Sequence, residues 1–330
     1  MADGTWAVVP VAGFGVRLRP HTHTRPKPLL HVAGQPIIGH ILDQLKPLQI
    51  ERIVLIVGYM GHQIVDYVKS RDEYSRVEFV EQKQMLGLGH AISLTRQVVG
   101  GDPMLIVYGD TIFHADLPAA MRHEGDGALG VQHVDDPGRF GVVVEEAGAV
   151  QRLVEKPTDF ISDLAIVGVN HIRNSDMLFD CLDDLIQADQ RTRGELQLTD
   201  AFQRMVDAGA QLSTFPVDGW FDCGTQEALL ATNQALLSRL DPAAAARQDV
   251  VVVPPVHIDP TAQVSDAVIG PQVSIGAGAR VNRAVISNSI IGEEAIVEGI
   301  VLEGSLVGFQ AVVTGRAHHI NVGDLSQITS

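Results

Sequence analysis

The chain has 330 residues, of which 45% are hydrophobic and 19% charged, and its net charge is −16, from 24 Lys and Arg against 40 Asp and Glu. This length and composition exclude a disulfide-stapled mini-domain and a disordered chain, and they are typical of a globular protein of one large and one smaller domain. The acidic balance argues against nucleic acid or an anionic membrane as a partner, because both would repel the chain.

The first predicted strand, Trp6 to Val11, leads directly into a glycine turn that ends at Arg17. No acidic residue occurs from Gly4 to Leu42, whereas four basic ones do: Arg17, Arg19, Arg25 and Lys27. A glycine turn beside cations is typical of a phosphate site. Leu18 stands where a dinucleotide-binding loop has its third glycine, and no Walker lysine follows. We therefore expect loop amides to face a nucleotide whose phosphates Arg17 and Lys27 hold.

Strands and helices alternate up to Gly109. After an apolar helical period from Ile37 to Leu48, the predicted elements are strand Arg52 to Val57, helix Gly61 to Lys69, strand Val77 to Val80, helix Ala91 to Val98 and strand Met104 to Tyr108. This order predicts a parallel sheet with helices on both faces. Ligands of such sheets bind beyond the carboxyl ends of the strands, where Gly13 and Asp110 both emerge.

The middle of the chain changes character. From Ala128 to about Ile172 the predicted strands are short, which indicates an antiparallel or mixed extension with a second half-site. Helices are predicted again at Ser175 to Ala188, Glu195 to Ala208 and Gln226 to Leu240. Asn233 lies within the last apolar period, and we expect it to be a satisfied polar residue rather than a ligand.

Beyond a linker at 241–249, aliphatic residues recur about every six positions. They are Ile269, Ile275, Val281, Ile291 and Val297, several of them followed by glycine. Such a repeat predicts a left-handed parallel β-helix over 250–330. Its flat faces and coil ends expose apolar surface, so we expect a homo-oligomer.

The compartment is predicted from absences in the sequence. Cys181 and Cys223 form no C-x-x-C pair, the first residues lack a signal-peptide pattern, and no apolar run is long enough to span a bilayer. We therefore expect reduced thiols and a cytoplasmic protein.

Seven blocks in a fixed order make the pattern recognisable. They are Val11 to Pro20, Pro26 to Leu30, Gln82 with Leu86 to Ala91, Tyr108 to Asp110, Glu155 to Pro157, Gly194 to Asp200, and Trp220 to Thr225. With the hexapeptide-like tail they resemble the sugar-phosphate nucleotidyltransferase family, most closely its long-form glucose-1-phosphate thymidylyltransferases. We accordingly expect an α/β fold: a Rossmann-like mixed-sheet catalytic domain over 1–240, followed by the short left-handed β-helix.

The resemblance implies that the phosphate oxygen of a sugar 1-phosphate attacks the α-phosphorus of a nucleoside triphosphate in line and expels pyrophosphate. Such a reaction depends on positioning and cationic stabilisation. Arg17 would stabilise the leaving pyrophosphate, and Lys27 would bridge the reacting phosphates. Asp110 and Asp222 would hold one Mg²⁺, which prefers oxygen ligands.

The resemblance also assigns the substrate contacts. Nucleotide-binding residues would be Ala12, Gly13, Gly15, Gln82 and Gly87, with Gln82 reading the base. Sugar-phosphate-binding residues would be Gly141, Glu155, Lys156 and Gly168, the two glycines leaving room for the sugar ring. Pro157 favours an extended exit after the Glu155–Lys156 pair.

Three departures from the family pattern concern the substrates. Val16 replaces a hydroxyl residue before the loop arginine, Thr111 follows Asp110 where Asn is common, and Asn170-His171 stands where aromatic residues usually follow Gly168.

We favour dTTP with glucose 1-phosphate. UTP is the close alternative because the bases differ by one methyl group; a mannose-1-phosphate guanylyltransferase and a non-catalytic subunit that binds nucleotide sugars are the others.

Overall fold

The computed structural model describes residues 4–71, 76–241 and 250–315. Their contacts divide them into two compact units: one contains the described residues up to Leu30 together with Gln35–Leu229, and the other contains His31–Gly34 and the described residues from Leu230 onward. Residues 242–249 of the expected linker and 316–330 of the expected β-helix lie outside the described residues. No helix within the described ranges is long and apolar enough to cross a membrane.

The first unit is built on a sheet of nine strands. Its elements in chain order are β1 (Trp6–Pro10), β2 (His31–Val32, in the second unit), β3 (Gln35–Pro36), α1 (Ile37–Leu45), β4 (Arg52–Val57), α2 (Gly61–Lys69), β5 (Val77–Glu81), α3 (Leu88–Ser93), α4 (Arg96–Val99), β6 (Met104–Val107), β7 (Thr111–His114), α5 (Leu117–Met121), β8 (Gly127–His133), β9 (Gly141–Glu146), β10 (Ala149–Glu155), β11 (Leu164–Ile172), α6 (Ser175–Gln187), α7 (Leu198–Asp207), β12 (Leu212–Pro216), β13 (Gly219–Asp222) and α8 (Gln226–Leu237), which ends in the second unit. The strand order is β5-β4-β1-β6-β11-β8-β12-β10-β9.

The sheet is mixed. β1 pairs in parallel with β4 and β6, and β11 pairs with β6 and β8 in antiparallel. Val8 and its partners Val54 and Ile106 are fully buried, as expected where helices cover both faces of a parallel sheet. The predicted parallel core with a mixed extension is confirmed.

The lengths of some elements differ from the prediction. β11 has nine residues, of which all but Leu164 are buried, although short strands were expected here. It lacks the alternation of a half-exposed strand, because Asn170 and His171 are buried along with its apolar residues. The helix predicted from Ala91 to Val98 is divided at Thr95, whose hydroxyl donates to the carbonyl of Ile92.

One pairing was not predicted from the sequence. β7 and β13 form a separate antiparallel pair in which Asp222 lies opposite Thr111, the residue after Asp110. The amide of Cys223 also donates to the carbonyl oxygen of Asp110 at 3.0 Å. Two segments far apart in sequence are therefore held side by side at the end of β6.

The second unit contains the repeat region. Its strands are β14 (Val250–Val252), β15 (Val256–Ile258), β16 (Gln263–Ser265), β17 (Ala267–Ile269), β18 (Val273–Ile275), β19 (Arg280–Asn282), β20 (Val285–Ser287), β21 (Ile290–Ile291), β22 (Ile296–Glu298), β23 (Val301–Glu303), β24 (Leu306–Val307) and β25 (Val312–Thr314). They form three four-stranded sheets, and every third strand joins the same sheet in parallel. The aliphatic residues of the six-residue repeat are its buried core. This is the predicted β-helix.

Candidate active site

A cleft of about 480 Å³ opens at the carboxyl ends of the central strands β1 and β6. Residues from six separate parts of the sequence line it. Among them are eight of the predicted site residues: Ala12, Gly13, Gly15, Arg17, Lys27, Gln82, Gly87 and Asp110. The structure thus brings together the predicted nucleotide-binding residues and the predicted cations.

The loop after β1 owes its shape to Gly15. This residue has a left-handed φ of 60°, and a Cβ on it would lie 2.9 Å from the side chain of Thr22 and 3.0 Å from that of Lys27. The Thr22 hydroxyl donates to the Gly15 carbonyl at 2.9 Å. A short 3₁₀ helix, Val16–Leu18, follows and contains the exposed Arg17. Only glycine allows the turn to close this tightly.

Lys27 and Asp110 form the central ion pair of the cleft. Nζ of Lys27 donates to Oδ2 of Asp110 at 2.7 Å. The lysine side chain is 11% exposed, whereas that of Asp110 keeps 39% exposure toward the cleft. Burial alone would raise the pKa of Asp110, but the ammonium of Lys27 outweighs it, with help from Thr111 and Arg17, and the pKa is lowered. Asp110 is therefore ionised at neutral pH.

Asp222 is the second carboxylate of the group. Burial raises its pKa, and the negative charge of Asp110 raises it further, against the weaker opposing effects of Lys27, Arg17 and Arg139. The two acids shift in opposite directions because Lys27 is hydrogen-bonded to Asp110, whereas the cations near Asp222 offset its burial and the charge of Asp110 only in part. Such a pair suits an additional cation.

Gln82 lies in the cleft with a fixed amide. It is 5% exposed, and its amide nitrogen donates to the carbonyl oxygen of Gly87 at 3.1 Å. The same nitrogen lies 3.1 Å from Nδ1 of His90. Burial lowers the pKa of His90, so its ring is neutral and can accept this bond. The amide nitrogen is thus used internally, which leaves the Gln82 carbonyl oxygen for a ligand.

Gly87 has a φ of 114°, and a Cβ there would lie 2.6 Å from the carbonyl oxygen of Leu196. The backbone of Leu196 also donates its N–H to Leu86 and accepts from Gly89. This position therefore requires glycine, for the contact with the chain before α7 as well as for its backbone conformation.

The predicted sugar-phosphate residues lie on β9, β10 and β11. Oε2 of Glu155 accepts a hydrogen bond of 2.7 Å from the Thr199 hydroxyl, and Oε1 lies 3.3 Å from Nζ of Lys156. Tyr108 lines the cleft together with Asp110, and its hydroxyl is near enough to Glu155 and to Asp110 for both charges to act on it. Burial, Glu155 and Asp110 together raise the pKa of its hydroxyl, so Tyr108 stays neutral.

Lys156 departs from the expected extended conformation. Its φ is 44°, in the left-handed region, directly before Pro157. Two backbone bonds hold it there: its N–H donates to Phe140, and its carbonyl accepts from Arg193, each at 2.9 Å. A lysine in this conformation costs about 1–3 kcal/mol, and such strain concentrates at functional sites.

The two sugar-site glycines have a different role from the expected one. A Cβ on Gly168 would lie 2.6 Å from the ring of Tyr108, and a Cβ on Gly141 would lie 2.7 Å from Oγ1 of Thr199 and 2.8 Å from Oε2 of Glu155. The space beside each glycine is therefore filled by protein atoms. The glycines admit Tyr108, Thr199 and Glu155, and the idea that they leave room for a sugar ring was wrong.

Comparison with known proteins gives the family. The model of the nucleotidyl transferase family matches residues 6–239, and that of the GlmU-like C-terminal hexapeptide matches residues 243–291. The chain belongs to the nucleotidyl transferase family. The expected resemblance is confirmed, and the second unit of this family member is a left-handed hexapeptide β-helix.

Similar proteins include two kinds of enzyme. The chain is 34% identical to the bifunctional protein GlmU of Methanococcus vannielii over 72% of its own length and 56% of that protein. It is 30% identical to the glucose-1-phosphate thymidylyltransferase of Streptomyces antibioticus over 89% of each chain. This nucleotidyltransferase spans about half the length of the first GlmU relatives, and most of the length of the thymidylyltransferase.

A similar solved structure is that of a putative glucose-1-phosphate thymidylyltransferase from Bacillus anthracis in complex with a sucrose. Its TM-score is 0.61 at 28% identity, over 72% of this nucleotidyltransferase and 96% of that chain. A UDP-glucose pyrophosphorylase complexed with UDP-glucose has a TM-score of 0.62 at 23% identity, over 72% and 99%, which supports the fold.

Some residues of this nucleotidyltransferase site were missed by the sequence reasoning. Thr22 closes the loop, His90 orients Gln82, and Thr199 donates to Glu155. His90 and Thr199 belong to the recognised blocks, so their positions gave a signal. Thr22 gave none, because a threonine in a proline-rich segment has no distinguishing pattern.

The donor set fits a hard cation. Within the described part of the chain, no three His, Cys, Asp or Glu side chains form a group that could hold a metal ion. Asp110 and Asp222 therefore offer two carboxylates, and a bound cation would need further oxygen ligands from water or substrate. Mg²⁺ is typically held this way, by one or two carboxylates and substrate phosphates.

Proposed function

We propose that this nucleotidyltransferase joins a nucleoside triphosphate, preferably dTTP, to a hexose 1-phosphate, preferably glucose 1-phosphate, and releases pyrophosphate. The observation that supports it best is that Lys27, Asp110 and Gln82 line one cleft, while Asp222 lies near enough to Asp110 and Lys27 for their charges to act on it. The similarity over 89% of both chains to a glucose-1-phosphate thymidylyltransferase supports the favoured substrate pair.

In the proposed reaction a phosphate oxygen of the sugar 1-phosphate forms a bond to the α-phosphorus while the bond to pyrophosphate breaks. No proton transfer to a side chain is needed, since both oxygens are already anionic. Lys27 and Arg17 neutralise charge on the phosphates, and the loop amides around Gly13 point toward the triphosphate. Glu155 accepts hydrogen bonds from sugar hydroxyls, and Lys156 contacts the sugar phosphate.

Asp110 and Asp222 are the residues that would hold Mg²⁺. When bound, the ion would supply charge neutralisation and orientation of the phosphates. The raised pKa of Asp222 fits this role, because a divalent ion relieves the repulsion between the two carboxylates.

Gln82 is the basis for the preference among bases. With its nitrogen donating to Gly87, its oxygen can accept the imino N–H of thymine or uracil. Guanine also has an imino N–H, whereas cytosine and adenine offer only exocyclic amino donors, which would have to bind in a different position. A missing partner for a buried polar group typically costs about 1–3 kcal/mol. UTP remains the alternative to dTTP because thymine and uracil differ by one methyl group. A single methylene gives only a small difference in transition-state binding energy in other hydrophobic pockets.

A pyrophosphate-release assay with purified protein, Mg²⁺, each of the five common nucleoside triphosphates and a panel of hexose 1-phosphates tests the proposal. We expect the highest kcat/KM with dTTP and glucose 1-phosphate, and UTP second. A preference for GTP with mannose 1-phosphate would replace the favoured pair by the guanylyltransferase alternative. Absence of turnover with every pair would contradict the proposed function.

A further inference from the structure

Two catalytic segments of the first unit continue directly into the second unit. Four residues after Lys27 the chain enters the second unit at His31, and it leaves it again after Gly34. Four residues after Asp222 helix α8 begins in the first unit, and it ends in the second. The second unit thus begins four residues after Lys27, at His31, and again eight residues after Asp222, at Leu230.

Asn233 of α8 joins these two segments. It is 1% exposed, and its Oδ1 accepts from the backbone N–H of Ala33 at 2.8 Å and from the hydroxyl of Ser274 on β18. Its Nδ2 donates to the carbonyl of Gln272 at 3.3 Å. The expectation that this residue is a satisfied polar group is met. One buried side chain therefore connects the 31–34 segment, α8 and the β-helix.

Two further contacts fix the 31–34 segment within the same unit. Nε2 of His31 lies 3.2 Å from Oε1 of Glu293. Gly34 has a φ of 95°, and a Cβ on it would lie 2.6 Å from the imidazole of His257. The segment is thus closely packed on both sides of Ala33, so a displacement there is resisted.

The stretch between the segment and Lys27 is also held by backbone hydrogen bonds. Lys27–Leu29 is a 3₁₀ turn in which Leu29 donates to Pro26 at 2.9 Å and Leu30 donates to Lys27 at 3.0 Å. On the other side, the N–H of Ala228 donates to the Thr225 hydroxyl in the first turn of α8. Short hydrogen-bonded turns transmit displacements that a flexible linker would absorb.

We propose that Asn233 is a positioning residue, which sets the spacing of Lys27 and Asp222 around Asp110 by holding Ala33 to helix α8. The kinetic consequence rests on the proposed function, whereas the structural consequence does not.

The test compares Asn233→Ala with Ser289→Ala in the full chain. Ser289 is also fully buried, and the hydrogen bonds of its hydroxyl go to Ser287 and Ser305 rather than to Asn233 or the 31–34 segment. Hydrogen exchange of the Leu29, Leu30 and Cys223 amides is followed together with the melting temperature. We expect exchange at these amides to rise at least tenfold in Asn233→Ala and to stay within twofold of wild type in Ser289→Ala. Equal exchange in the two variants would overturn the proposal.

Kinetics supply the second readout. In Asn233→Ala we expect kcat to fall at least tenfold, while KM for the sugar 1-phosphate, which Glu155 and Lys156 bind, stays within twofold. If Asn233→Ala is too unstable to assay, Gly34→Ala takes its place, because the added Cβ displaces the 31–34 segment on the side of Gly34. It should likewise lower kcat and leave KM for the sugar 1-phosphate within twofold. An unchanged kcat in a folded variant would overturn the proposal. If wild-type protein shows no turnover, the proposed function fails, and the exchange data still decide the role of Asn233.

Discussion

The phosphate half of the site (Arg17, Lys27, Asp110 and Asp222) and the sugar half (Glu155, Lys156 and Thr199) are built on different principles. In the sugar half the Glu155 carboxylate already has a hydroxyl and an ammonium group as partners. In the phosphate half two carboxylates face essentially one buried ammonium, and their pKa values shift in opposite directions. The first arrangement has its partners in the free protein, whereas the second is, under the proposed function, completed by a cation and a substrate.

The largest effect is expected for the phosphate half. Asp110→Asn removes a charge that pairs with Lys27 and that is proposed to hold the metal, so kcat should fall by about 10³-fold or more. Nucleotide binding without metal should survive. Asp102→Asn is the matched control, because Asp102 forms a surface ion pair with Arg52. Similar losses of kcat in Asp110→Asn and Asp102→Asn would show that removal of any carboxylate charge lowers activity. The special role of Asp110 would then be contradicted.

The pH profile tests the opposite shifts directly. Because the pKa of Asp222 is raised, this carboxylate takes up a proton at a higher pH than an ordinary Asp. As the pH is lowered, turnover should therefore begin to fall at a higher pH than it would with an ordinary Asp. A metal ion competes with the proton, and a higher Mg²⁺ concentration should therefore move the acid limb of kcat/KM to lower pH. Asp222→Asn should lower activity about 10²-fold and abolish that movement. If the acid limb of kcat/KM of the wild-type protein does not move with Mg²⁺ concentration, the proposed role of Asp222 is contradicted.

The sugar half should respond more mildly. Thr199→Val removes one hydrogen bond to the Glu155 carboxylate, and such bonds to charged groups are worth about 1.5–3 kcal/mol. We expect KM for the sugar 1-phosphate to rise about tenfold or more while KM for the nucleotide stays constant. Thr214→Val is the control, since Thr214 makes the equivalent bond to Glu145 on the same sheet. If the nucleotide KM rises equally, the two halves are not separate.

The smallest effect on activity is expected at His171, on the strand that also contains Gly168. Burial lowers its pKa to about 4, with smaller contributions from Arg173 and His123. The unfolded chain then binds more protons below about pH 6.5, so stability falls as pH drops toward 4, by about 3 kcal/mol in total.

Denaturant unfolding of His171→Gln at pH 7 and pH 5 checks the direction of this pH dependence of stability. The difference in unfolding free energy between the two pH values should shrink relative to wild type, with kcat within about twofold. His133→Gln, at an exposed histidine, should keep the wild-type difference. An unchanged difference in His171→Gln would contradict the assignment.

The two halves also differ in how much the sequence revealed. Gly15 and Asp110 belong to recognisable blocks after strand ends, and the strand order places them together, whereas Lys27 was assigned to the site by the family resemblance. The place of Asp222 depends on the β7–β13 pair, which has no distinct sequence pattern because each strand has only four residues. Gly141 and Gly168 were recognised for the wrong reason, since sequence cannot tell an open space from one that Tyr108 or Thr199 fills.

Mn²⁺ binding, measured by paramagnetic resonance with a non-hydrolysable dTTP analogue, tests the central claim most directly. Wild-type protein should bind Mn²⁺ tightly when the analogue is present and weakly without it, because Asp110 and Asp222 need phosphate oxygens to complete the shell. Asp110→Asn and Asp222→Asn should each lose the tight binding, while Asp102→Asn should retain it. Equal Mn²⁺ binding in wild type and both site variants would contradict the account.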